Sequence, residues 1–221
     1  MKRKLIMLVL LAVAFVMVVT GCEPADDDPG TDAEAPVEVR VGMIAAENHP
    51  IYKGVEKFKE IVEEQTDGRY EIKLFPGGVL GSELEMKDQV SLGTIQMANL
   101  GSGTTVGDVP ETQVFNFFHL WDDVEHMNRG YNSDVAQELL GRFEEKSGIR
   151  ILANNWYQGT RHLLSKKPVS DLEDLKGLKV RVPDGLPLWN ELWEAVGATT
   201  ISLPWTDVYT SMQQGVVEAI E

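Results

Sequence analysis

The sequence predicts an α/β fold, and three neighbouring segments carry that prediction. VEVRVGMI (37–44) alternates apolar and polar residues as a strand does, and PIYKGVEKFKEIVEEQTDG (50–68) sets Ile51, Val55, Phe58, Ile61 and Val62 on one helical face before stopping at Gly68. YEIKLF (70–75) returns to a period of two, with Tyr70, Ile72 and Leu74 on one side. A strand, a helix and a strand in so short a stretch favour parallel pairing through a right-handed crossover.

The later elements follow in the same manner. FPGGVLGSELE (75–85) is a glycine-rich turn opening a helix, because Ser82 with Glu85 three residues on makes a capping box ahead of Met86 and Val90. Gly77, Gly78 and Gly81 lack the GxxxxGK[ST] context of a phosphate cradle, which leaves a tight turn as their reading. TIQMANL (94–100) reads as a strand and GSGTTVGD (101–108) as a loop. The aromatic run FNFFHLWDDVEHMN (115–128) leads into a helix ending near Lys146, its rings core-forming, with Trp121 a candidate for lining a cleft. IRILAN (149–154) is predicted as a further strand and DLEDLKG (171–177) as a short helical turn. LKVRV (178–182) is a strand, and PLWNELWEAVGA (187–198) a helix with Leu188, Leu192, Trp193 and Val196 in one stripe. TTISL (199–203) and the helix around PWTDVYTSMQQG (204–215) repeat the cycle, and no period of 20 to 50 residues marks a solenoid.

Composition narrows the function. The chain has 221 residues, 43% of them hydrophobic, enough for one large domain or two smaller ones. Its formal charge is -15, and removal of Lys2, Arg3 and Lys4 makes it more negative still. Nucleic acid is thereby disfavoured as a partner, since phosphate binding depends on clustered Lys and Arg.

The N-terminus reads as an address. MKRK gives a basic start, residues 5–19 an unbroken apolar run, and Gly21 a small residue directly before Cys22. The segment resembles a bacterial lipoprotein signal peptide spanning 1–21, which implies cleavage before Cys22 and lipid on that residue. An uncleaved anchor with an incidental cysteine is the plainer alternative. Cys22 is the one cysteine, so no internal disulfide is available. Residues 22–36 are then the lipidated cysteine and an acidic, proline-rich tether too poor in apolar surface to fold. Such an anchor holds the folded part, from about Val37, at the outer face of a membrane without inserting it.

Catalytic signatures are absent from the sequence. His49, His119, His126 and His162 form no metal-binding pair, and no GxSxG elbow is present, so no metal, cofactor or enzyme activity is expected. The segment DLKGLKVRVP (174–183) poses the sharper question, because Arg181 stands one residue from the end of a strand. Open α/β sheets place ligand crevices at such ends, and a guanidinium fork takes both oxygens of a carboxylate at once. The alternative is an arginine tied to a nearby acid such as Asp184 or a glutamate. Net charge does not forbid an anionic ligand: unit charges 4 Å apart interact by roughly 4 kcal/mol at an effective dielectric near 20, whereas surface charges beyond about 8 Å are screened.

NHPIYKG, FPGGVLGSELEMKDQVSLGTIQMA, GTRHLLSKKPVSDLEDLKGLKVRVP and LPWTDVYTSMQQGVVEAIE together resemble, in order, the solute-binding subunits (DctP type) of tripartite ATP-independent periplasmic (TRAP) transporters. The resemblance implies a two-domain, periplasmic-binding-protein-like α/β fold that closes on its ligand, with domain I over 37–156 and the first part of domain II over 157–221. It implies that Arg181 anchors the carboxylate of a small organic acid and that Arg161 supports it. Trp205 is implied to pack beside the ligand and Asp184 to offer a polar contact. Where sialic-acid-binding members carry a glutamate, Gly101 stands, which disfavours sialate. The partners implied are the small and large integral membrane subunits, with transport driven by an ion gradient.

In that family the pattern continues past VVEAIE into Asn-Pro and a long further stretch, so domain II is expected to be incomplete here and residues from about Tyr157 onward to pack poorly alone. A sensory lipoprotein coupled to a membrane receptor and a surface hydrolase remain alternatives. Neighbouring genes encoding a kinase would favour the former, and ester turnover dependent on one serine or aspartate the latter.

Overall fold

The computed structural model describes residues 35–221. The leader 1–21, Cys22 and nearly all of the tether lie outside those residues.

Strand β1 (Val37–Met43) is the centre of a three-stranded parallel sheet ordered β2-β1-β3, with β2 at Tyr70–Phe75 and β3 at Met97–Asn99. Helix α1 (Pro50–Gln65) makes the crossover between β1 and β2 that the apolar stripe predicts. Ile51 and Val55 join Val41, Met43 and Ile72 in one buried cluster, with Phe58 and Val62 against it, while Ile61 at the stripe's edge is exposed. His49 caps α1 by accepting the Ile51 N–H, and Pro50 fills the first turn, where its missing N–H costs nothing.

Helix α2 (Glu83–Ser91) starts at the predicted capping box: the Ser82 hydroxyl accepts the Glu85 N–H, and the Glu85 carboxylate accepts the Ser82 N–H at 2.7 Å. The aromatic run divides into a 3-10 segment (Pro110–Asn116), helix α3 (Val124–Tyr131) and helix α4 (Asp134–Ser147), rather than one continuous helix. Asp123 and Ser133 cap α3 and α4, so two start signals, one inside the run and one after it, divide the segment. Trp121 packs against Phe115 and Tyr131 and donates to the Phe115 carbonyl, and so belongs to the core.

A second sheet is ordered β4-β7-β5-β6, from β4 (Leu164–Ser165), β5 (Lys179–Pro183), β6 (Thr199–Leu203) and β7 (Ala219–Ile220). Helix α5 (Pro187–Ala195) links β5 to β6, and α6 (Trp205–Gln214) links β6 to β7. Strand β5 is parallel to both of its neighbours, and β4 runs antiparallel to β7.

Two sequence readings are corrected. Residues 149–154 form no strand: the alternation is real, since Ile149 and Ile151 pack against the cluster of Val109, Leu139 and Phe143, but no described strand pairs with the segment and Leu152 stays exposed. In α5 the most buried residue is Trp189, off the predicted stripe, because the helix meets Val106 and Phe118 of the preceding segments as well as its own sheet.

Candidate functional site

The register of the second sheet assembles the site. Val180 of β5 pairs with Ala219 of β7, and Leu164 of β4 pairs with Ile220, which brings Arg181 on β5, Glu221 just after β7 and Arg161 just before β4 together at one end of the sheet. Strand β5 lies between two parallel neighbours, and its pattern of Val180, Arg181 and Val182 is buried throughout. The alternation in the sequence places Arg181 opposite the valines, yet that face is covered too, and Arg181 is 3% exposed.

A buried guanidinium costs several kcal/mol unless it is paired and hydrogen-bonded. Arg181 Nε donates to the Leu203 carbonyl at 3.0 Å, and its guanidinium carbon lies 5.7 Å from the centre of the Trp205 ring. Its ion-pair partner among the described residues is Glu221, not Asp184: Nη1 lies 3.6 Å from Glu221 Oε1, too far for a hydrogen bond. Glu221 Oε1 is buried with no hydrogen-bond partner. Arg161 donates from Nε to the other oxygen of Glu221, and from Nη2 to the Glu221 main-chain carbonyl at 3.2 Å. Its guanidinium also stacks 4.8 Å from the Trp189 ring centre.

Burial lowers the Arg181 pKa from its ordinary value against the pull of Glu221, and burial raises the Glu221 pKa against the pull of Arg161 and Arg181. Both shifts have one cause. Removing the pair from water costs more than the attraction between its members returns, which leaves an under-compensated guanidinium.

A second acid enters from the first sheet. The turn after β2 uses left-handed backbone at Gly77 and Gly78, and a Cβ at Gly78 would sit 2.9 Å from the Thr206 methyl, so glycine alone lets this turn lie against the start of α6 beside Trp205. The turn delivers Glu83 to the first position of α2, where its carboxylate accepts the Gly101 N–H at 2.6 Å. A second close approach occurs at Gly185, where a Cβ would lie 3.0 Å from the Gly103 carbonyl oxygen and 3.5 Å from Leu84. That contact sets Asp184 beside the first turn of α2. Burial raises the Glu83 pKa, the Gly101 N–H opposes the rise, and the charges of Asp184, Arg181 and Arg161 all act on the same carboxyl.

Trp189 ties helix α5 to the end of the segment Pro110–Asn116 and the residues just after it: its Nε1 donates to the Asn116 carbonyl at 2.6 Å, and Phe118 meets its ring edge to face. An open depression of about 610 Å³ lined by Tyr52, Lys59, Lys73 and Phe75 shares no residue with this cluster, and its lysines are already paired with Glu63 and Glu71.

Of the residues singled out from the sequence, Arg181, Arg161 and Trp205 come together, and Asp184 acts on the cluster through its charge. Glu83, Glu221 and Trp189 were missed. Glu83 had a signal, an acid directly after an N-cap serine at the carboxyl end of a strand. Glu221 and Trp189 had none, since their positions depend on register and on packing between sheets.

The model of the bacterial extracellular solute-binding proteins, family 7, matches residues 41–221. A solute-binding protein of Verminephrobacter eiseniae is 34% identical over 191 residues, covering 86% of this chain and 56% of that protein. The chain thus spans little more than half of that curated relative's length. Among solved structures, a TRAP periplasmic solute binding protein of Sulfurospirillum deleyianum with bound succinate matches with a TM-score of 0.78 and 30% identity, over 84% of this chain and 59% of that one. Another from Haemophilus influenzae, with bound L-gulonate, matches at 0.77 and 28%, over 83% and 60%. The family match spans both sheets, and this chain belongs to the bacterial extracellular solute-binding proteins of family 7.

Proposed function

We propose that the protein is an extracytoplasmic receptor that captures a small organic acid and delivers it to the small and large membrane subunits of a TRAP transporter. The observation that carries this reading is the convergence of Arg181, on β5, and Arg161, in the segment before β4, on a single carboxyl group, that of Glu221. Arg181 near the carboxyl end of the parallel strand β5, with Arg161 beside it, provides a fixed, always-charged fork for a ligand carboxylate. Trp205 offers an apolar wall beside Arg181, and Asp184, whose charge acts on Arg181, a polar contact. Solved relatives carry bound acids such as succinate and L-gulonate, which supports the ligand chemistry.

Residues 37–156 and 157–221 act as two lobes, each contributing one sheet, and ligand binding favours their closed arrangement. The chain works as a binder and catalyses nothing. Among the described residues no helix is long and apolar enough to cross a membrane, and Cys22 carries the lipid that keeps the receptor at the membrane surface.

Calorimetry of the full-length protein against an organic-acid panel tests the central claim. Replacing Arg181 with Ala is expected to weaken the bound acid by about 10- to 100-fold, the worth of a charged hydrogen bond. Undiminished affinity would remove Arg181 from the site. For the anchor, a Cys22→Ala protein is expected to leave the membrane fraction, and its retention there would overturn lipidation.

A further inference from the structure

Resting on the carboxylate-binding reading, the charges gathered at the site carry a conclusion about protons. Two guanidiniums, Arg181 and Arg161, share the site with three acids, Glu221, Glu83 and Asp184, and their charges act on one another. With all five ionised the acids outnumber the cations by one, and a ligand carboxylate raises that excess to two. Arg181 is buried and so is the Glu221 side chain, so water screens the excess poorly. An acid in such a place neutralises itself by taking a proton in preference to standing as an uncompensated charge. We propose that Glu83 takes up a proton when the site captures an organic anion, so that capture is linked to pH through this one carboxyl.

The contacts of the acids point to Glu83. Glu221 is in direct contact with Arg161, which donates from Nε to its carboxylate and from Nη2 to its main-chain carbonyl. Glu83 makes no ion pair among the described residues, and its hydrogen bond there comes from a neutral donor, the Gly101 N–H at 2.6 Å. Arg181 on β5 and Arg161 before β4 therefore stabilise its charge only from a distance, while Asp184 in the turn after β5 repels it. On its own helix, Glu85 is engaged with the Ser82 N–H and Lys87 with Asp108. A ligand carboxylate seated on the arginines offsets their field at Glu83 and adds a repulsion of its own. Burial has already raised the Glu83 pKa in the ligand-free protein, and both changes raise it further. Between the two values the complex binds more protons than the free protein. Affinity accordingly rises as pH falls through that window, by at most about tenfold per pH unit, and levels off below it.

The test is calorimetry on the full-length protein with the tightest-binding of L-gulonate, D-glucuronate and succinate, run from about pH 5 to about pH 8 in pairs of buffers that differ in ionisation enthalpy. The buffer dependence of the heat counts the protons taken up per ligand bound. Wild type is expected to take up a proton, approaching one per ligand within the window, and to bind more tightly as pH falls. Glu83→Gln keeps an oxygen for the Gly101 N–H but cannot ionise. It is expected to lose that uptake, to show an affinity that no longer follows pH, and to bind more tightly than wild type at the alkaline end. Comparison with Glu83→Gln also removes any contribution from the ligand's own ionisation. No uptake by wild type anywhere in the range, or as much uptake by Glu83→Gln as by wild type, would overturn the assignment. Should Glu83→Gln fail to fold, Asp184→Asn decides. Removing that repulsion is expected to move the window to lower pH with the uptake retained, and an unmoved window or a lost proton would contradict the role of Glu83. Arg181→Ala separates this inference from the reading beneath it. If Arg181→Ala loses binding while wild type binds without taking up a proton, only the role of Glu83 fails. If Arg181→Ala binds with undiminished affinity, or none of the three acids binds wild type, the carboxylate reading fails and this inference with it.

Discussion

Arg181 Nη1 lies 3.6 Å from Glu221 Oε1, both side chains almost wholly buried, and no hydrogen bond joins them. A pair in that state does little for the fold, because its desolvation is only partly repaid. The same under-compensation makes the pair sensitive to the loss of either member.

Replacing Arg181 with Met keeps the buried stem but leaves Glu221 facing Arg161 alone. The expected loss is about 3 kcal/mol, the lower end for breaking a buried ion pair, because Arg161 still neutralises part of the charge. Adding Glu221→Gln to Arg181→Met removes the stranded charge and should recover most of that loss. Urea unfolding of the two single variants and the double variant measures it, and strictly additive losses would contradict the pairing.

Glu83 gives the ligand-free protein a pH dependence with a definite sign. Its folded-state pKa is raised, so between the ordinary carboxylate range and the raised value the native state binds more protons than the unfolded state. This group's contribution to stability therefore falls as pH rises through that window and stays low above it. Glu83→Gln removes the effect, and its stability relative to wild type is expected to increase from acid to neutral pH. Denaturant midpoints taken across that range check this, and a difference that is flat or runs the other way would count against a buried Glu83.

The turn before α2 offers a comparison of two neighbouring glycines. Gly77 and Gly78 have nearly the same left-handed φ, 70° and 71°, but a Cβ at Gly77 meets nothing within 4 Å, whereas one at Gly78 meets the Thr206 methyl at 2.9 Å. Gly77→Ala should cost about 1 kcal/mol from backbone strain alone. Gly78→Ala should cost clearly more and also weaken ligand binding, because the turn that delivers Glu83 must retreat from α6. Equal costs would mean that the close approach is absent in solution.

The sequence by itself determined the local choices: the β-α-β order of residues 37–75, the capping box of Ser82 and Glu85, and a strand carrying Arg181 close to its end. Those follow from periodicity and from hydrogen bonds between residues a few positions apart, and a family resemblance set Arg181, Arg161 and Trp205 beside one another before any distance was known. Tertiary structure alone decided the rest. Residues 149–154 have a strand's alternation but form none among the described residues, because a strand exists only with a partner to pair with. Trp189 is buried because a helix of one sheet meets Phe118 and Asn116 of another segment, and Glu221 reaches both arginines because β7 sits between β4 and β5. Contacts between residues far apart in sequence depend on register and close approach, and neither leaves a local pattern to read.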